Sequence, residues 1–293
     1  MTGLRRPGPR TRVGVAAHDH DRSTRRVDYV ATEEPLEIRV TSGDGSTQRL
    51  AITMRTPGSD FELAVGFLVG EGVIDDANEI ATVRYCVDRD LDEEQRYNIV
   101  TVDLRGHRMP DLRGLERHFT TTSACGVCGR ACLESLQLRG IVQVAAGPSV
   151  AADTLTSLPN KLRAGQSVFE RTGGLHAAGL FTAEGELLEV REDVGRHNAM
   201  DKLVGWAAMQ RQLPLDDHIV LVSGRASYEL VQKAATAGVP VLAAISAPSS
   251  LAVDVAEQFG LTLAAFVRGG RFNVYAGNHR VIAATVPGMS DAG

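Results

Sequence analysis

Three of the four cysteines in the chain fall within one short stretch, TTTSACGVCGRAC, which runs from Thr120 to Cys132. Cys125 and Cys128 are two residues apart, and Cys132 follows three residues later. Sulfur at such spacing can bind a metal, cycle as a dithiol, or act as a nucleophile. A structural zinc site needs four ligands, commonly as two pairs. Here only His118 could complete the set, because Cys86 lies far off in a predicted strand. An iron–sulfur cluster would lack its fourth thiolate. A thioredoxin-type CxxC starts a helix directly after a strand. This one follows Thr-Thr-Thr-Ser-Ala and is loosened by Gly126 and Gly129. The remaining chemistry is a thiolate on a movable loop, able to accept sulfane sulfur and hand it on. Arg130, His118 and the start of the following helix would favour the anion. Cys132, at the onset of ACLESLQL, is expected to be a small buried hydrophobe.

A second group of candidates lies at loops after strands. HIVLVS, VPVLAAIS and LTLAAFV alternate with the helical stretches SYELVQKAATAG and SLAVDVAEQFG, a pattern that predicts a parallel sheet with short crossovers. The strands are apolar without alternation, as expected for burial on both faces. Ligands bind such sheets beyond the carboxyl ends of the strands. Those ends carry Ser223-Gly224-Arg225, then Ser246 to Ser250 with Ser249 ahead of a helix, and Arg268-Gly269-Gly270-Arg271. All offer what a phosphate requires: approachable N–H groups, hydroxyls or guanidinium groups, two of the loops opening into helix N-termini. Ordinary turn chemistry would place the same residue types there. No P-loop and no GxGxxG follows a strand, so neither ATP nor NAD is expected.

These groups need elements to hold them. Residues 1–28 are rich in Arg, Gly and Pro and are expected to form a disordered basic arm. A small sheet-rich α+β unit is expected over 29–115. It would contain strands at EEPLEIRV, RLAITMRT, ATVRYCV and YNIVTVDL, and a helix opened by a Ser59/Glu62 capping box. The loop bearing the CxxC is placed at 116–130 and a larger α/β domain at 131–293. Within it a helix is expected to begin near Ser157-Pro159, GLHAAGLF and ELLEV to form a hairpin, and Met200, Leu203, Val204 and Ala207 to line a helix. In the run REDVGRHN, Glu192, Asp193, Arg196 and His197 would either cap that helix or orient a ligand.

Composition narrows the class. The chain has 293 residues and a formal net charge of −5, with 43% hydrophobic and 23% charged residues. That balance suits a soluble globular protein and argues against general nucleic-acid binding. No apolar run is long enough to span a membrane and no secretory h-region follows the first arginines, so a cytoplasmic location is expected.

The stretches EEPLEI, AVGFLVGEGVI, SACGVCG, GLHAAGLF, EDVGRHNAMDKL, the long run from SGRASYELVQ to SLAVDVAE, and FVRGGRFNVY together resemble the formate dehydrogenase accessory protein family (FdhD/NarQ). The likeness covers nearly everything from Glu33 to the C-terminus. It implies a sulfurtransferase that carries sulfane sulfur as a persulfide on Cys125, with Cys128 assisting or relaying. A cysteine desulfurase would be the donor. The sulfur would pass to the bis-molybdopterin guanine dinucleotide form of the molybdenum cofactor before its insertion into formate dehydrogenase. The family's cofactor-binding segment falls on Phe266, Val267, Arg268, Gly269, Gly270 and Arg271, with Ser223, Gly224, Arg225, Ser249, His176 and His197 as further candidates. The resemblance also implies a C-terminal three-layer α/β domain of cytidine deaminase-like type. Deamination itself is not expected: His176-Ala177-Ala178 has alanine where the acid of H-x-E must stand, and no Pro-Cys-x-x-Cys follows. No protein-ligated zinc is expected. A homodimer is expected from the likeness and from an apolar helix of the N-terminal unit read as exposed. Two alternatives stay open, a cofactor-binding chaperone whose cysteines do no chemistry and a thiol–disulfide oxidoreductase.

Overall fold

The computed structural model describes residues 7–86, 97–107, 109–110 and 143–283. The CxxC loop and Cys132 lie outside the described residues.

The chain begins with two ten-residue strands, β1 (Arg10–Asp19) and β2 (Arg22–Ala31), paired antiparallel as a ribbon of their own. From residue 10 on, this corrects the expectation of a disordered arm over 1–28. Alternation is present (Val13, Val15 and Ala17 are half-buried), but Gly14 and Ala16 between them, and the arginines and aspartates at the strand ends, hide it in the composition.

A four-stranded sheet follows, ordered β4-β3-β6-β5, from β3 (Glu34–Thr41), β4 (Thr47–Arg55), β5 (Ile80–Tyr85) and β6 (Ile99–Leu104). The expected strands and the turn at Gly43-Asp44-Gly45 are in place. Ser42 Oγ donates to Asp44 Oδ1 at 2.6 Å and the Ser46 N–H donates to the same oxygen at 2.9 Å, holding the Asp44 carboxyl down at about 2. Arg55, fully buried, closes the sheet's end with a bidentate pair to Asp60 at 3.0 and 3.2 Å and a bond to the Tyr97 carbonyl.

Helix α1 (Asp60–Gly70) lies where expected, but its predicted capping box does not form. Ser59 has a left-handed backbone and caps nothing with its side chain. Glu62 is taken by Arg191 instead, at 2.5 and 2.8 Å. Nor is α1 exposed: Leu63, Val65, Leu68 and Val69 are at most 1% accessible, so the apolar face read as a dimer surface is already covered within the chain.

What covers it belongs to the larger layer. The short strand β7 (Val150–Ala151) leads into α2 (Ala152–Gly165), which starts five residues before the expected Ser157 and carries Pro159 in its interior. Ser157 is no cap because its hydroxyl donates back to the Thr154 carbonyl at 2.7 Å. After α3 (Phe169–Thr172) come β8 (His176–Thr182), β9 (Leu187–Asp193) and α4 (Arg196–Met209). Then β10 (His218–Val222), α5 (Tyr228–Thr236), β11 (Val241–Ala244), α6 (Ser250–Phe259) and β12 (Thr262–Arg268) alternate, and β13 (Arg271–Ala276) and β14 (Val281–Ile282) close the chain. The six-stranded sheet is ordered β13-β12-β11-β10-β8-β9, with β10, β11 and β12 parallel and the outer pairs antiparallel. Ile219, Leu221, Val241 and Ala243 pack with Leu155, Leu158 and Leu162 of α2. Val220, Val222, Leu242 and Ala244 join α4, α5 and α6 on the other face. Three layers result, and α1 with its sheet is docked onto α4.

Candidate functional site

Because β10, β11 and β12 run parallel, their carboxyl ends lie on one edge, and hydrogen bonds stitch the loops there together. The Ser246 N–H donates to the Gly224 carbonyl at 3.3 Å, and the Phe266 N–H donates to the Ser246 carbonyl at 3.1 Å. Ala226 and Ser249 exchange similar bonds with their neighbours, the Ala226 N–H to the Ala247 carbonyl and the Ser249 N–H to the Ala226 carbonyl. The order Gly224, Ser246, Phe266 is therefore a continuous rim.

Three cationic or titratable side chains converge beside it. His176 begins β8, and Arg196 and His197 begin α4. A Cβ on Gly224 would stand 3.4 Å from His176 Nδ1 and 3.6 Å from Arg196 Cδ, so both side chains lie directly beside the Gly224 backbone. Arg196 Nε is buried with no acceptor among the described residues. An unspent guanidinium N–H at a helix N-terminus is a donor waiting for an anion. Partial burial, then the charges of Arg196 and His197, push the His176 pKa below the ordinary imidazole value, so the ring is neutral at pH 7. His197 Nε2 lies 3.1 Å from Ser227 Oγ and 2.8 Å from Glu229 Oε2, and that hydrogen bond holds the Glu229 carboxyl below its usual range.

Arg268 and Arg271 face each other across a two-residue hairpin whose Gly269 and Gly270 have φ of 60° and 73°, the left-handed pair a primed turn demands. All four residues are exposed. Just before them Phe266 also adopts φ 55°, at a bulge between Ala265 and Arg268. A bulky residue there is strained by about 1 kcal/mol or more. Its ring carries the Arg268 guanidinium at 5.4 Å.

The candidates thus divide. His176, His197, Gly224 and Phe266 border the edge, and Arg268 to Arg271 form its outer lip. Ser223, Ser249 and Val267 have structural uses: Ser223 Oγ accepts from the Ala177 N–H at 2.9 Å, Ser249 caps α6, and Val267 is fully buried against α2's side of the sheet. Arg225 is exposed in its loop. The REDVGRHN run splits the same way. Glu192 accepts from the N–H groups of Val168 and Phe169, and Asp193 is buried against Lys202 at 2.7 Å. Arg196 and His197 are left for the edge. Sequence reasoning missed Glu229, whose signal was only its position two residues beyond Ser227 at a helix start. It also missed a cavity of about 270 Å³ that His197 shares with Phe67, Asp201, Tyr228 and Lys233, between α1, α4 and α5.

Taken together, fold and edge define an α/β protein with a cation-lined, phosphate-suited strand edge. The comparisons place it further. The model of the FdhD/NarQ family matches residues 31–282, and the chain belongs to that family. It is 54% identical over 259 residues to a sulfur carrier protein FdhD of Streptomyces avermitilis, spanning 87% of this chain and 90% of the relative. It is 50% identical over 266 residues to that of Mycobacterium tuberculosis, spanning 89% and 94%. A crystal structure of a putative formate dehydrogenase accessory protein from Desulfotalea psychrophila superposes with a TM-score of 0.71 at 23% identity, covering 93% of this chain and 99% of that one, and so shares the fold.

Proposed function

We propose that the protein is a sulfur carrier for the maturation of formate dehydrogenase. The Cys125 thiolate attacks the terminal sulfur of a persulfide on a cysteine desulfurase. The donor's S–S bond breaks, its cysteine leaves as thiolate, and Cys125 retains the sulfane sulfur as R–S–S⁻. The acceptor is the bis-molybdopterin guanine dinucleotide molybdenum cofactor, a substrate whose pyrophosphates rest on the edge. Cys128 assists by attacking the inner sulfur of the persulfide. A Cys125–Cys128 disulfide then forms, and the terminal sulfur departs with the electron pair a sulfido ligand requires.

The observation that supports this reading best is the convergence of Arg196, with its unspent Nε–H, on His176 and Gly224, beside the Phe266–Arg271 hairpin. Small exposed glycines and guanidinium groups fit a diphosphate, and His176, neutral in the free protein, can take up a proton beside it. The relatives' names point the same way, since they are called sulfur carriers. The work would take place in the cytoplasm and in a homodimer. Incubation with a cysteine desulfurase and cysteine is expected to add about 32 Da, one sulfur, to the peptide holding Cys125. The adduct should be lost in Cys125→Ser together with formate dehydrogenase activity in the host. Full activity in that variant would leave a chaperone with chemically idle cysteines. A stable CxxC disulfide with no sulfur adduct would mark an oxidoreductase.

A further inference from the structure

The ribbon β1–β2 almost wholly precedes the part of the chain that the family model matches, and nothing at the strand edge uses it. Its register pairs Arg12 with Tyr29, Gly14 with Val27, Ala16 with Arg25 and His18 with Ser23, so these side chains share one face with Arg10. That face carries three arginines and no carboxylate. The acids of the two strands, Asp19 and Asp28, stand on the other face with Arg22 and Arg26, and Arg26 lies 3.5 Å from Asp28. Along the acid-free face the order is Arg10, then Arg12 beside Tyr29, Gly14 beside Val27, and Ala16 beside Arg25. At about 3.3 Å per residue the three arginines are strung over roughly 20 Å, with the aromatic ring between them. All three are exposed, as are Val27 at 48% and Tyr29 at 44%, and the Arg10 guanidinium stands 5.3 Å from the centre of the Tyr29 ring. Among the described residues the ribbon packs at its foot, where Ala31 meets Gly174 beside α3.

A row of guanidinium groups interrupted by an exposed aromatic ring suits a single-stranded polynucleotide, whose phosphates follow the cations and whose bases stack on the ring. We infer that the Arg10/Arg12/Arg25 face of the ribbon binds single-stranded nucleic acid, with Tyr29 as the stacking platform. The step between Arg10 and Arg12, about 6.6 Å, favours a ligand whose charge repeats evenly, as that of a phosphodiester chain does. The net charge of −5 argues against nucleic-acid binding over the general surface, but this face carries no acid of its own. An anionic lipid surface fits it less well. Insertion needs a continuous apolar area, and here arginines, Gly14 and Ala16 surround Val27 and Tyr29. The more apolar side of the ribbon, with Val13, Val15 and Ala17, is the half-buried one.

Fluorescence anisotropy of the full chain with labelled strands of about 12 nucleotides, one of uridine and one of thymidine, tests the assignment and tells RNA from DNA. Binding is expected whose logarithm falls against the logarithm of salt concentration with a slope of about −2, the value for three phosphate contacts on a single strand. Arg10→Gln/Arg12→Gln/Arg25→Gln should flatten that slope and lower the affinity at low salt by at least about tenfold. Tyr29→Leu keeps apolar bulk but offers no ring, and should weaken binding by about tenfold at an unchanged slope. A strand carrying 4-thiouridine should crosslink to the tryptic peptide that begins at Val27, a readout that needs no variant. Absence of binding at low salt would overturn the inference, as would an affinity that the triple variant leaves unchanged or a crosslink elsewhere in the chain. Competition by GDP would place the strand on the Phe266–Arg271 edge and overturn it too. So would arginine-dependent binding to vesicles of anionic lipid, or capture of an acidic protein, with neither strand bound. Persulfide loading of Cys125 is measured separately and stands or falls independently.

Discussion

Gly66 of α1 and Gly205 of α4 face each other where the two helices cross. A Cβ on Gly66 would stand 1.8 Å from the Asp201 carbonyl oxygen, and one on Gly205 1.8 Å from that of Glu62. Both obstacles are backbone and cannot swing aside. Glycine in a helix interior ordinarily costs about 1 kcal/mol relative to alanine. Here the sign reverses. Gly66→Ala and Gly205→Ala are each expected to destabilise by about 3 kcal/mol through overpacking, read as a drop of about 6–10 °C in the thermal midpoint. An unchanged or raised midpoint would mean that the helices do not approach this closely.

The same joint is held by a buried ion pair. Lys202 Nζ lies 2.7 Å from Asp193 Oδ2 and donates to the carbonyls of Thr56 at 2.8 Å and Glu192 at 3.2 Å. Asp193 in turn accepts from the N–H of Thr56 at 3.1 Å, so strand end, hairpin and helix meet at one carboxylate. Lys202→Met is expected to cost about 3–5 kcal/mol, because Asp193 stays buried and charged without its cation. Chemical denaturation should show the loss, and Asp193→Asn in the same background should recover part of it.

The alternating strands and helices from His218 onward were legible because each residue pattern had one cause, burial on both sheet faces. The helix caps were less so. Ser59 and Glu62 have the spacing of a capping box, but the ion pair of Glu62 with Arg191, 129 positions away, takes the glutamate, and no local pattern reports a distant arginine. Ser157 misleads for a similar reason, since its hydroxyl turns back to its own helix. The strand-edge loops could be named from sequence because strand direction alone decides where they gather. What sequence could not tell was which of their hydroxyls are spent on the fold: Ser223 and Ser249 are, and only hydrogen bonds across the sheet reveal it.

Arg268 and Arg271 are exposed and contribute little to stability. Replacing both with glutamine should leave the thermal midpoint within about 1 °C while weakening binding of a guanine nucleotide diphosphate by about tenfold or more, as for loss of charge-assisted hydrogen bonds. Calorimetry with GDP reads the affinity. Equal affinity in the variant would remove the hairpin from the proposed phosphate site.

If the proposed diphosphate sits beside His176, its binding is expected to depend on pH, with a definite sign. Its pKa is lowered in the free protein by burial and by Arg196 and His197, so at pH 7 the ring carries no proton. A diphosphate beside it supplies the missing negative charge and raises that pKa, so binding takes up a proton. Affinity is therefore expected to tighten as pH falls from 7 through the ordinary imidazole range, by up to about tenfold per pH unit where uptake is complete. His176→Asn keeps a hydrogen-bonding side chain and cannot titrate, so it leaves only the titration of the GDP phosphate, whose pKa is about 6, and calorimetry in buffers of different ionisation enthalpy should show more proton uptake on binding in the wild type than in the variant. For folding the sign is opposite. A histidine whose pKa is lowered in the folded state costs stability as pH drops below the unfolded value, so the ligand-free protein should lose stability on acidification while the liganded one loses less. Identical pH profiles and proton uptake in the wild type and His176→Asn would show that the anion does not meet His176.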